Sequence, residues 1–100
     1  MRYNKLVRDK IPEIIKFKGG KPVTHIANNQ EYWTKLKEKL SEEIEEFLKS
    51  EAIEELADIQ EVLSAVCIYK DISKQGIERI RKKKAEDRGT FEKRIILEES

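Results

Sequence analysis

Apolar positions recur with helical period along two long stretches of the chain. From Trp33 to Phe47 the apolar residues Trp33, Leu36, Leu40, Ile44 and Phe47 fall within about 40° of one line, at about 100° per residue. A second stretch, from about Ala52 to Lys70, carries Ile59, Val62, Ala65, Val66 and Tyr69 on one arc. The junction around Lys49-Ser50 is short and polar, so the two predicted helices must fold back as an antiparallel hairpin. Asn28-Asn29 supplies a start signal for the first of them, with Gln30-Glu31 in its first turn. A shorter helix is predicted after Asp9 as N-cap, with Pro12 in its first turn and Gly19-Gly20 as its stop. Ser73 is placed to cap a further helix that runs through Ile77 and Ile80 to Gly89, with Gly76 weakening its first turn. Tyr3 to Val7, Lys21 to Ile26 and Phe91 to Leu97 are expected to be extended, the middle one an edge or loop because of Pro22. The expected fold class is all-α, a helical hairpin with short extended terminal segments.

The hairpin also sorts the acids. About a midpoint between Ser50 and Glu51, Glu43 is level with Asp58 and Glu46 with Glu55, given equal rise per residue. Within each helix the two carboxylates are three positions apart and share a face,. Glu43 lies at the edge of the apolar stripe and Glu46 a little further round. Glu42 and Glu45 fall in the middle of the opposite, polar face. On the second helix Glu55 and Asp58 continue as Ile59, Val62, Ala65, Val66 and Tyr69, whereas Glu54 and Glu61 point to the polar side. Four carboxylates meeting at one spot repel, and burial worsens it. A hard divalent cation with oxygen ligands relieves that repulsion. With 41% charged residues, a solvated acidic surface is the plain alternative for any single Glu-x-x-Glu. The level pairing and the apolar continuation favour the metal site.

Composition narrows the remaining choices. One hundred residues make one small domain, and 38% hydrophobic content supplies a thin core. The second long helix is apolar around most of its circumference, at Ile59, Val62, Leu63, Val66, Cys67 and Ile68. One chain has too few helices to cover it, so pairing of two hairpins into a four-helix bundle is expected. With 21 Lys plus Arg against 20 Asp plus Glu, the net charge is +1. That gives no global attraction to nucleic acid or membrane. The lone Cys67 is expected as a buried thiol in a reducing compartment. The absence of an apolar leader or a membrane-length segment makes cytoplasm the expected location.

Other chemistry is thinly represented. His25 has no second His or Cys nearby and reads as a polar loop residue. No Ser or Cys has a matching His for a nucleophilic triad, and Gly19-Gly20 lacks the Gly-Lys-Ser/Thr of a phosphate loop. The basic run Arg79 to Arg88 reads either as solvated charge favoured near a helix C-terminus or as polyphosphate contacts. Lys5 and Arg8, interleaved with apolar anchors, pose the same choice. Trp33 could stack on a base, but its place on the apolar stripe favours a core role.

The pattern Glu42-Glu43-Ile44-Glu45-Glu46, a gap, then Glu55-Leu56-Ala57-Asp58 resembles the MazG-like, all-α nucleotide pyrophosphohydrolases. The opening Tyr3-Asn4-Lys5-Leu6-Val7-Arg8-Asp9-Lys10-Ile11-Pro12 and the ending Arg81-Lys82-Lys83-Lys84-Ala85-Glu86-Asp87-Arg88-Gly89-Thr90-Phe91 resemble a small single-domain branch of that family. Members of this branch are often labelled phosphoribosyl-ATP pyrophosphohydrolase. The resemblance covers nearly the whole chain, residues 1–100 as one domain. It implies Mg²⁺, with Mn²⁺ as the alternative, held by Glu43, Glu46, Glu55 and Asp58. It also implies cleavage of a nucleotide between the α- and β-phosphates, giving a monophosphate and pyrophosphate. Glu43, the most desolvated acid, is the expected base for the attacking water, with Glu46 as the alternative. Lys5, Arg8, Lys84 and Arg88 are the expected phosphate contacts.

No residue singles out phosphoribosyl-ATP, so a house-cleaning role on other triphosphates is equally compatible. The expected partners are the nucleotide and further copies of the chain, as a homodimer or a dimer of dimers, without nucleic acid or membrane. A non-catalytic helical oligomerisation or regulatory module is the competing class.

Overall fold

The computed structural model describes residues 4–100. Four helices follow in order, α1 (Ile11–Phe17), α2 (Asn29–Ser50), α3 (Ile53–Tyr69) and α4 (Lys74–Arg88). There is no strand among the described residues. The all-α expectation therefore holds.

Local chemistry explains the boundaries. The Asn28 side chain accepts from the Glu31 N–H at 2.9 Å and starts α2, satisfying one of the helix's free donors. Ser73 does the same for α4, accepting from Gly76 N–H at 2.9 Å. At the hairpin turn Glu51 adopts φ 55°, ψ 24°, a left-handed conformation that costs a non-glycine residue about 1 kcal/mol. Its N–H still donates to the Phe47 carbonyl at 2.7 Å, and the Ala52 N–H donates to the Ser50 hydroxyl at 3.2 Å. Only Glu51 and Ala52 separate the helices, so α3 must run back along α2. The start of α1 differs from expectation. Lys10, not Asp9, is the cap residue, and no side chain closes it. Pro12 near the start leaves one donor fewer to satisfy,.

The α2–α3 contact is the one extensive helix–helix packing among the described residues. Leu36, 1% exposed, and Val62, 8% exposed, are its buried apolar centre. Tyr32 meets the Tyr69 ring edge-on at 5.7 Å, and Trp33 stacks on it at 5.1 Å with an interplanar angle of 5°. The Tyr69 hydroxyl donates to the Asn29 carbonyl at 3.3 Å. Tyr32 and Tyr69 are equidistant from the Ser50–Glu51 midpoint, so the predicted register extends to the open end of the hairpin. Trp33 thus closes the hairpin end, with Lys70 Nζ 4.7 Å and Lys37 Nζ 5.4 Å from its ring, a cation–π arrangement.

Residues 21–26 form no strand, in line with the loop alternative that Pro22 suggested, and residues 91–97 open with a bend and turn and form no strand either,. Tyr3 lies outside the described residues, and the stretch from Asn4 to Val7 is irregular. Cys67 is half-buried rather than buried, since α3 packs extensively only against α2 among the described residues. Ile68 and Leu63 beside it are 80% and 45% exposed. Among the described residues, no helix is long and apolar enough to cross a membrane.

With Leu36 in the centre of the hairpin, Leu36→Ala should cost about 3 kcal/mol in urea unfolding. Asn28→Ala, which removes only the cap, should cost about 1 kcal/mol.

Candidate metal centre

The hairpin register brings together acids from both helices. Carboxylate oxygens of Glu43, Glu55 and Asp58 all lie within 4.8 Å of one another. Glu43, at 6% exposure, is the buried charged residue of the described structure. Its Oε2 and the Oε2 of Glu55 are buried without a hydrogen-bond partner. Glu46 is exposed and flanks this trio rather than joining it, since it lies further round α2 from the α3 contact. Its charge still reaches Glu55. Desolvation first, then the charges of Glu46, Asp58 and Glu43, push the Glu55 carboxyl above its ordinary range, and a proton on Glu55 can be shared with Glu46,.

Arg8 and Lys39 touch the cluster. Arg8 Nη2 donates to Asp58 Oδ1 at 2.7 Å, so the segment before α1 reaches α3. Lys39 Nζ lies 3.3 Å from Glu43 Oε1 and 3.6 Å from Glu42 Oε1. Lys5 Nζ meets the same Glu42 oxygen at 3.5 Å. Glu42, expected in the middle of the polar face, is half-buried in an ion-pair network. Lys5, in the segment before α1, reaches that side of the hairpin. Lys39 escaped the sequence reading, although a Lys four residues before a Glu on one helix face was a usable signal.

The other predicted phosphate contacts stand elsewhere. Lys84 and Arg88 are exposed on α4, and neither makes an ion pair with the four acids among the described residues. The charges of α4 are partly internal, Arg81 with Glu78 at 2.6 Å and Lys83 with Asp87 at 3.5 Å. The Glu78 carboxyl is lowered and the Arg81 guanidinium raised by their hydrogen bond. His25 Nε2 sits 2.9 Å from Glu31 Oε1 and 3.0 Å from Oε2, a surface pair as its sequence context suggested.

The residues fit a hard divalent cation. All three converging groups are carboxylates, the donor type that Mg²⁺ and Mn²⁺ take. Their span of 4.8 Å or less is close to the roughly 4.2 Å across an octahedral Mg²⁺ shell. The two partnerless buried oxygens are the kind of orphaned acceptors that a cation satisfies.

Known proteins add little to this geometry. No protein-family model matches the chain. No solved structure matches it either. A stretch of 41 residues, 41% of the chain, is 49% identical to an uncharacterized protein of Mycolicibacterium smegmatis. The match covers 42% of that relative's length.

The raised Glu55 carboxyl sets a pH dependence. The folded chain holds this proton more tightly than the unfolded chain does, so stability falls as pH rises from the unfolded value through the folded one. Metal-free Glu55→Gln protein should therefore melt higher than wild type at neutral pH. The two should converge in acid, and a series of melting curves from acid to neutral pH checks both parts.

Proposed function

We propose that the chain is a metal-dependent nucleotide pyrophosphohydrolase, cleaving a nucleoside triphosphate or related nucleotide between its α- and β-phosphates. The observation that carries this reading is the convergence of Glu43, Glu55 and Asp58 with two buried, partnerless oxygens. An acidic trio with Glu43 buried and Glu55 and Asp58 half-buried on a two-residue hairpin destabilises the metal-free fold, and a cation with anionic substrate gives it a use. The similarity of the acidic pattern and both terminal segments to MazG-like enzymes points the same way.

Glu43, Glu55 and Asp58 would hold Mg²⁺ or Mn²⁺, with Glu46 beside them. The bound metal would lower the pKa of a water and offset charge on the phosphoryl oxygens. Glu43 is the best-placed base, because it is the most buried of the four acids and keeps one oxygen without a partner,. Water attack then gives a monophosphate and pyrophosphate. Lys5 and Arg8 already lie on the cluster's side of the hairpin and are the near phosphate contacts. Lys84 and Arg88 pair with none of the four acids among the described residues, so this reading has them act from another copy or after α4 moves. No residue distinguishes phosphoribosyl-ATP from other nucleotides.

A non-catalytic helical module is favoured by one observation: Arg8 and Lys39 already pair with acids of the cluster. Metal binding and turnover separate the two readings. Glu43→Gln or Asp58→Asn should lower metal-dependent pyrophosphate release across a nucleotide panel at least about a hundredfold, while Glu45→Gln should change it little. Equal loss in all three rejects this assignment of the site residues, and no turnover by the wild type favours the module.

The same reading includes a homo-oligomer built on the hairpin, as a homodimer or a dimer of dimers. The chain exposes 9682 Å², against roughly 5,900 Å² for a folded monomer of this mass. Its radius of gyration is 17.9 Å, against about 13 Å. Ile44, Leu48, Leu56, Leu63 and Ile68 are exposed along α2 and α3, a surface that pairing into a four-helix bundle would cover. Sedimentation should give a dimer or larger. Leu63→Asp should dissociate it without burying a charge in the single chain, and a monomeric wild type at micromolar concentration would reject the bundle.

A further inference from the structure

We propose that Arg8 is a resident counter-cation of the acidic cluster, displaced from Asp58 when a divalent cation binds and then used to grip the anionic ligand. The inference rests on the metal-site reading above and assigns Arg8 two successive partners within it.

Three features single out Arg8. First, its partner Asp58 is one of the three converging carboxylates, so the guanidinium and an entering cation compete for one anionic group. Second, the contact is a single hydrogen bond from Nη2 with more than half of the Arg8 side chain exposed. One donor of a five-donor fork is engaged, and a pair this open to water holds weakly. Third, Arg8 belongs to a segment outside the hairpin, which can shift without disturbing the α2–α3 packing. Leu6, Ile11 and Pro12 on either side of Arg8 are half-buried, so release of the guanidinium leaves the segment anchored beside the cluster.

Lys39 is a poor candidate for the same exchange. It is only 20% exposed and bridges Glu42 and Glu43 from four residues or fewer along the same helix. Its short reach keeps it on α2 whether or not a cation is present. Lys5 pairs with Glu42, outside the converging trio. Among the contacts of the described residues, that of Arg8 with Asp58 links an acid of the trio to a separate segment. The planar fork of Arg8 also suits two phosphate oxygens at once, which a lysine ammonium cannot match. Arg8 thus acts on the metal through Asp58, as a positioning residue, and on the substrate directly.

The exchange predicts opposite effects on two ligands. Titration calorimetry with Mn²⁺ alone, without nucleotide, should give about threefold or more tighter binding in Arg8→Ala than in wild type, because a competing positive charge is removed. With Mn²⁺ in excess, inorganic tripolyphosphate should bind about tenfold more weakly to the variant. Arg8→Lys should restore wild-type Mn²⁺ affinity and only part of the tripolyphosphate affinity, and Arg8→Gln should repeat the alanine result with the side-chain volume kept. A merely structural Arg8 would weaken both ligands together. Mn²⁺ affinity unchanged or lowered in the folded Ala and Gln variants overturns the exchange and leaves the metal site standing. No Mn²⁺ binding by any of the proteins overturns the exchange and the metal site together.

Discussion

Mutual repulsion of carboxylates across the α2–α3 interface is the constraint that the rest of this structure answers to. Two helices joined by Glu51 and Ala52 cannot slide past one another, so Glu43, Glu55 and Asp58 are held together whether or not a cation is present. The chain places cations around them by two routes. Lys39 arrives along the same helix, and Arg8 arrives from the segment before α1. Neither reaches the buried Oε2 atoms of Glu43 and Glu55. The raised Glu55 carboxyl is the electrostatic record of that shortfall.

The packing that enforces this repulsion is small. Leu36 and Val62 at its centre are backed by the Tyr32, Trp33 and Tyr69 rings at the open end. Residues 29–69 carry eleven acids against four lysines, whereas residues 1–28 carry seven basic residues against two acids. The near-neutral total conceals an acidic hairpin between basic ends. A short chain that exposes large apolar residues along both hairpin helices gains from association twice, by covering apolar area and by bringing basic ends toward acidic hairpins. The metal site and the oligomer are therefore linked proposals, since each relieves a cost that the isolated hairpin carries.

Much of this was determined by the sequence itself. Helical period, the Asn28 and Ser73 caps and the short junction after Lys49 are local properties, and each appears where the residues placed it. The pairing of Glu43 with Asp58 and of Glu46 with Glu55 followed from equal rise on either side of a tight turn, which is arithmetic once the turn is known. The tertiary structure decided what depends on the radial direction of a side chain and on segments without periodicity. It set Glu46 at the margin and drew Glu42 into a network with Lys5 and Lys39. It left residues 21–26 and 91–97 without a strand partner. It also laid Arg8 on Asp58, a contact between residues fifty positions apart. No local rule reaches such a contact, because the path of an irregular segment is fixed by what it packs against.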